Sequence, residues 1–120
     1  MSTNPPTYMF VFRRPTEAPE LSEEESNRLF GSWMAWVAAL RAKGGYIAGD
    51  PLEASPAKVV RGPKGAQISD GPFVEAKEVV GGYVLLTAAS FEEAAELSRG
   101  CPDLPYGGTV EVRQIMPIPM

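Results

Sequence analysis

Two serine-led boxes, Ser22-Glu23-Glu24-Glu25 and Ser90-Phe91-Glu92-Glu93, constrain this chain more than any other feature. In each, the serine hydroxyl is placed to accept from an orphan amide at a helix start. The glutamate three residues on reaches back to the cap residue. The first box opens a run in which Leu29, Phe30, Trp33, Trp36, Val37 and Leu40 recur at helical spacing. Arg41 and Lys43 suit its last turn, and Gly44-Gly45 ends it. A helix over residues 23–43, about 30 Å long, is predicted. Its two tryptophans are expected in the core or a subunit interface. Gly31, unfavourable inside a helix, suggests a close packing contact. The second box predicts a shorter helix carrying Phe91, Ala94, Ala95 and Leu97, closed by Gly100 with Pro102 beyond.

Strand-like segments surround both helices. Tyr8-Met9-Phe10-Val11-Phe12 is a short apolar run, expected as a central strand buried on both faces and ending at Arg13-Arg14-Pro15. Tyr46–Pro51 reads as a second strand. Residues 57–61 and 66–69 flank Gly62-Pro63-Lys64-Gly65, the pattern of a β-hairpin with a four-residue turn. Residues 79–87 form another strand, in which Gly81-Gly82 marks a bulge or a close backbone approach. Residues 109–115 form the last. Residues 1–7 and the proline-containing 116–120 read as tails. The order is β-α-β, hairpin, β-α-β within one domain spanning residues 1–120. That predicts an α+β, ferredoxin-like antiparallel sheet with two helices on one face plus an inserted hairpin. Strands apolar on both sides leave one face to cover, which predicts a homodimer through the sheets.

Composition narrows the chemistry. The 120 residues include no histidine and one cysteine, Cys101. Serine–histidine and cysteine–histidine nucleophilic systems are therefore excluded, as are an intrachain disulfide and a thiolate metal cluster. Proton transfer would fall to a carboxylate, lysine or tyrosine with a shifted pKa. A net charge of −4 disfavours direct nucleic-acid binding, which needs a basic face. No apolar run approaches the roughly 20 residues of a membrane span, and no signal-peptide pattern is present, so the cytoplasm is the expected compartment. Neither a metal nor a cofactor is expected.

One stretch concentrates polar chemistry: Ser69-Asp70-Gly71-Pro72-Phe73-Val74-Glu75-Ala76-Lys77-Glu78. On residue type alone, Asp70-Gly71-Pro72 reads as a loop corner with Asp70 as an Asx-turn acceptor, and Glu75 to Glu78 as a solvated turn. The alternative is a functional carboxylate facing a cleft. The segment closely resembles the signature of the DGPF proteins, a branch of the YCII-related family: Asp70-Gly71-Pro72-Phe73, then Glu75-Ala76-Lys77-Glu78, then Gly81-Gly82-Tyr83. Tyr8-Met9, Gly49-Asp50-Pro51-Leu52 and Gly108 to Arg113 extend the likeness over nearly the whole chain. The resemblance implies a fold of the dimeric α/β-barrel type with a cleft between sheet and helices. Some family members carry a histidine on the first long helix near an aspartate, which has prompted a proposed acid/base role. Its counterpart here falls near Ser32, so only the aspartate element, Asp70, carries over.

The resulting expectation is a small molecule bound around Asp70, with lyase- or isomerase-type turnover at most. Asp70 is the sole catalytic candidate, and Arg13, Glu75, Lys77 and Tyr83 complete the candidate lining. Arg13 would supply an anion-binding fork. Lys77 and Glu75 would form a local ion pair holding the loop, and Tyr83 would offer a phenolic donor. The rival expectation is a protein-contact or regulatory module. The DGPF resemblance carries an association with transcription initiation through sigma factors. Glu23 to Glu25 and Glu92-Glu93 would then be the acidic contact surface.

Overall fold

A computed structural model of the chain describes residues 5–72 and 76–119. Strand β1 (Thr7–Pro15) leads to helix α1 (Glu23–Ala42) and strand β2 (Tyr46–Pro51). Strands β3 (Ala57–Arg61) and β4 (Gln67–Gly71) follow, then β5 (Glu78–Thr87), helix α2 (Phe91–Ser98) and β6 (Thr109–Gln114). The main sheet runs β2-β5-β1-β6 with every neighbouring pair antiparallel, and β3-β4 form a separate two-stranded sheet. This mixed α+β arrangement is compatible with a ferredoxin-like fold. Among the described residues, no helix is long and apolar enough to cross a membrane.

The helix boundaries follow from the caps. Ser22 Oγ accepts from the Glu25 N–H (3.1 Å) and Glu25 Oε1 accepts from the Ser22 N–H (3.4 Å), a complete box. At α2 the reciprocal half is displaced. Ser90 Oγ accepts from the Glu93 N–H, but the Glu93 carboxylate accepts from Ala89 N–H, one residue before the cap.

The core lies between the helices and one sheet face. Tyr8, Phe10 and Phe12 of β1 are buried with Val84 and Leu86 of β5, and α1 and α2 add Leu40 and Ala94. Trp36 stacks on Phe10 (centroids 6.1 Å, interplanar 10°), while Trp33 meets Phe12 edge-on at 4.9 Å. Such aromatic contacts contribute beyond the area they bury. The tryptophans are core residues. Phe30, expected on the apolar face of α1, is 66% exposed.

Strand β1 is not buried on both faces as its composition suggests. Burial alternates strictly from Tyr8 to Phe12, and Met9 and Val11 are only half-covered. The Cα envelope measures 46 × 44 × 18 Å, about the thickness of one sheet plus one helix layer, so no layer of the described residues covers the second face. Met9 and Val11 pair with Leu85 and Tyr83 across that open face. The expected irregularity at Gly81-Gly82 is present: the β1–β5 register shifts between Phe12 and Arg13, skipping Gly81.

The tail boundary moves as well. Thr7 already belongs to β1, and its carbonyl accepts from Ile115 N–H at 2.8 Å.

Gly31 has no packing reason. A Cβ added there would meet nothing within 4 Å. Gly31→Ala should therefore stabilise the chain by about 0.5–1 kcal/mol, through helix propensity alone. Denaturant melts would show this as a higher midpoint at unchanged slope. A loss of stability would mean that α1 packs against something at this position.

Candidate functional site

The site residues expected from sequence are placed on different parts of the fold. Asp70 lies in β4, not in a loop corner, directly opposite Lys58 in the hairpin. Its side chain is 85% exposed and ion-paired with the Lys58 ammonium. That pair replaces the backbone amides expected of an Asx turn. Arg13 is on the open sheet face, where its guanidinium pairs with Glu111. Glu111 also accepts from Arg113 (3.0 Å). Hydrogen bonds from Arg113 and then Arg13 hold the Glu111 carboxyl below its usual range. Tyr83, also on that face, donates to Asp50 Oδ2 at 2.8 Å, and this bond raises the phenol pKa above its ordinary value. Lys77 is exposed before β5, with its carbonyl accepting from Thr16 N–H at 2.9 Å. Glu75, and with it the expected Lys77–Glu75 pair, lies outside the described residues. Ser32 is exposed, its hydroxyl donating to the Arg28 carbonyl.

Exposed cross-strand ion pairs contribute about 0–1 kcal/mol. Asp70→Ala and Asp70→Asn should therefore each change stability by less than about 0.5 kcal/mol in urea melts. A larger loss in Asp70→Ala that Asp70→Asn restores would return this residue to a turn-forming role.

A larger cleft among the described residues lies elsewhere, on the helix side of the sheet. It has a volume of about 930 Å³ and lies between the end of β1, the loop leading into α1, the first turns of α1 and the 3-10 turn Leu104–Tyr106. Pro72 and Ser55 border it, so the Asp70 segment reaches the cleft through its proline and not through its carboxylate. Leu21, Leu29, Val79 and Pro105 supply apolar wall, while Arg14, Ser26, Asp103 and Tyr106 supply polar groups.

Asp103 is the one buried charged residue among those described, 8% exposed. Its Oδ1 accepts the indole N–H of Trp33 at 3.0 Å. The backbone fixes it from behind, because its carbonyl accepts from both Tyr106 N–H (2.9 Å) and Gly108 N–H (3.0 Å). Gly100 makes this placement possible. A Cβ there would lie 2.5 Å from Trp36 Nε1, and Trp36 is held by its stack on Phe10, so only glycine lets the chain leave α2 across that ring.

Arg14 enters the same cleft because β1 alternates: Phe10 and Phe12 face the helices, Arg13 faces away, and Arg14 returns. Its guanidinium lies over Gly81, where a Cβ would come within 2.8 Å of Nη2. Neither Arg14 nor Asp103 belongs to any ion pair among the described residues.

Neither residue was singled out from sequence. Asp103 sits among prolines that read as a simple helix stop. Arg14 is recoverable from sequence: a period of two places it with Phe10 and Phe12, a parity that the unbroken apolar run of β1 masks.

Cys101 lies beneath this turn. Burial pushes its thiol from 9.0 up to about 11, outweighing the backbone N–H groups of Asp103 and Leu104 that face it. The raised value means the folded chain holds its proton longer. The thiol's contribution to stability is thus complete below pH 9 and lost as pH rises from about 9 to 11. At pH 8 the shift alone should slow disulfide-exchange labelling by about tenfold relative to the urea-unfolded chain, because the roughly 100-fold smaller thiolate fraction is partly offset by the greater nucleophilicity of a higher-pKa thiolate. Equal rates in both states would contradict its burial.

A smaller cavity of about 300 Å³ lies near the C-terminus of α1, but its acid, Glu93, is already engaged by Ala89 N–H. Among the described residues, no group of three or more His, Cys, Asp or Glu side chains could hold a metal ion.

The family model of the YCII-related domain matches residues 8–119. No curated protein matches the chain.

Proposed function

This chain belongs to the YCII-related domain family, and from that membership we propose that it is a small-molecule-binding protein of the DGPF branch, with the helix-side cleft as its site. The observation that carries this reading is Asp103, a carboxylate buried at the cleft wall with one indole donor and no cation among the described residues. A buried charge is costly unless compensated, and a ligand entering the cleft is one source of compensation. Asp70 then serves the site indirectly, through the strand that delivers Pro72 to the cleft edge. Lyase- or isomerase-type turnover would require a base in the cleft, and Asp103 is the buried carboxylate there.

A thermal-shift screen against a metabolite library tests the reading, because a ligand that binds only the folded chain raises its midpoint. At least one hit should stabilise the protein, and Asp103→Asn should weaken that hit. A silent screen would overturn the reading.

We also propose that the open sheet face joins two copies of the chain. Met9, Val11 and Leu85 form its half-covered apolar centre, flanked by the Arg13–Glu111–Arg113 group and the Asp50–Tyr83 pair. Light scattering behind size exclusion should give twice the chain mass. A monomer at micromolar concentration would sink this claim.

A second reading, a contact module of the sigma-factor-accessory kind, draws on a different observation. The β3–β4 hairpin stands as a sheet of its own with Val60 and Ile68, directly paired, both exposed beside the Lys58–Asp70 pair. Isolated hairpins are marginal in water, and an apolar partner would support this one. Capture of purified sigma factor by the chain, abolished in Val60→Asp, would favour it over the cleft reading.

A further inference from the structure

Resting on the cleft reading, we propose that the ligand is a small zwitterion whose carboxylate engages Arg14 and whose ammonium engages Asp103. The argument is one of charge compensation. A molecule that fills the cleft displaces the water that solvates both groups. Arg14, lying over Gly81, has no acidic partner among the described residues, and its planar fork matches a carboxylate. Among the described residues, Asp103 has only the Trp33 indole, a neutral donor, on its carboxylate. The two are not paired with each other, so covering both with a neutral molecule strands two opposite charges, each in a drier setting.

A plain carboxylate would compensate Arg14 and leave Asp103 stranded. A plain amine would do the reverse. A hydroxy acid would satisfy the hydrogen-bonding capacity of Asp103 without offsetting its charge. Only a ligand carrying both charges meets both needs. The apolar lining of the same cleft, with Leu21, Leu29 and Pro105, suits a short apolar spacer. Glu20, exposed at the mouth, adds a second negative group and reinforces the preference for a cationic end.

The probe is a homologous series of ω-amino carboxylates from glycine to 6-aminohexanoate, each titrated beside the plain carboxylate and the plain amine of equal length. Tryptophan emission reports occupancy, since Trp33 touches Asp103, and thermal shift gives an independent readout. One member of the series should bind at least about tenfold more tightly than either of its singly charged analogues. Asp103→Asn keeps an oxygen for the indole and should abolish the preference over the plain carboxylate. Arg14→Gln should abolish the preference over the plain amine. If the singly charged or uncharged analogues bind as tightly, or if each variant erases both preferences equally, the zwitterion assignment is overturned. A library hit sensitive to Asp103→Asn, combined with no binding by the series, overturns the assignment while leaving the cleft reading intact. Silence in both the series and the library removes both.

Discussion

Phe10→Ala should lower the stability of this chain by about 3–5 kcal/mol, the usual cost of truncating a fully enclosed aromatic. Phe10 is 0% exposed and lies on the central strand β1, between Val84 of β5 and Val112 of β6. It also supports Trp36, whose ring in turn sets the path of the chain at Gly100. The loss therefore combines transfer, cavity and a missing ring stack, in a domain whose total stability is about 5–15 kcal/mol. Urea unfolding followed by circular dichroism would measure it, with Phe10→Leu recovering more than half. A cost below about 1.5 kcal/mol would mean that the core is not centred on this ring.

The same residue shows how much of the fold could be read in advance. Ser22 with Glu25 and Ser90 with Glu93 mark both helix starts because caps are local: the groups that satisfy an orphan amide lie within three residues of it. The hairpin, the glycine bulge and the order of elements are local in the same sense. Whether β1 is buried on one face or two is not local. Met9 and Val11 are as apolar as buried residues, and only the 18 Å thickness reveals that the described residues supply no second layer for them. Gly31 misled for a related reason, since a sequence does not show which side of a helix faces open space.

The candidate site was less legible than the fold. Asp70, Lys77 and Tyr83 drew attention because they crowd a motif, yet they sit apart, on the hairpin, before β5 and on the open face. Asp103 and Arg14 carry no motif. Their positions come from long-range placement: an indole 70 residues away for Asp103, and strand parity plus a side-chain-free Gly81 for Arg14. The DGPF resemblance marks the segment that edges the cleft, at Pro72, and not the charges inside it.

Asp103→Ala is the second large effect, and it contrasts the two aspartates directly. Removing the carboxylate leaves the half-buried Trp33 indole N–H without its acceptor. Losing a hydrogen bond to a charged group costs about 1.5–3 kcal/mol. Asp103→Asn should recover most of that, because the amide oxygen can take the same N–H while the backbone bonds from Tyr106 and Gly108 are untouched. The recovered variant is the informative one. It should fold like the parent and still bind library hits poorly, since it restores the acceptor without the charge. Trp33 provides a spectroscopic check: its emission should shift in Asp103→Ala and return in Asp103→Asn. Asp70→Ala, measured beside them, should stay within about 0.5 kcal/mol of the parent and keep ligand affinity, because its exposed pair with Lys58 is solvated in either state. The reverse pattern, a costly Asp70→Ala with a silent Asp103→Ala, would move the site to the hairpin and restore the residue that the motif alone suggests.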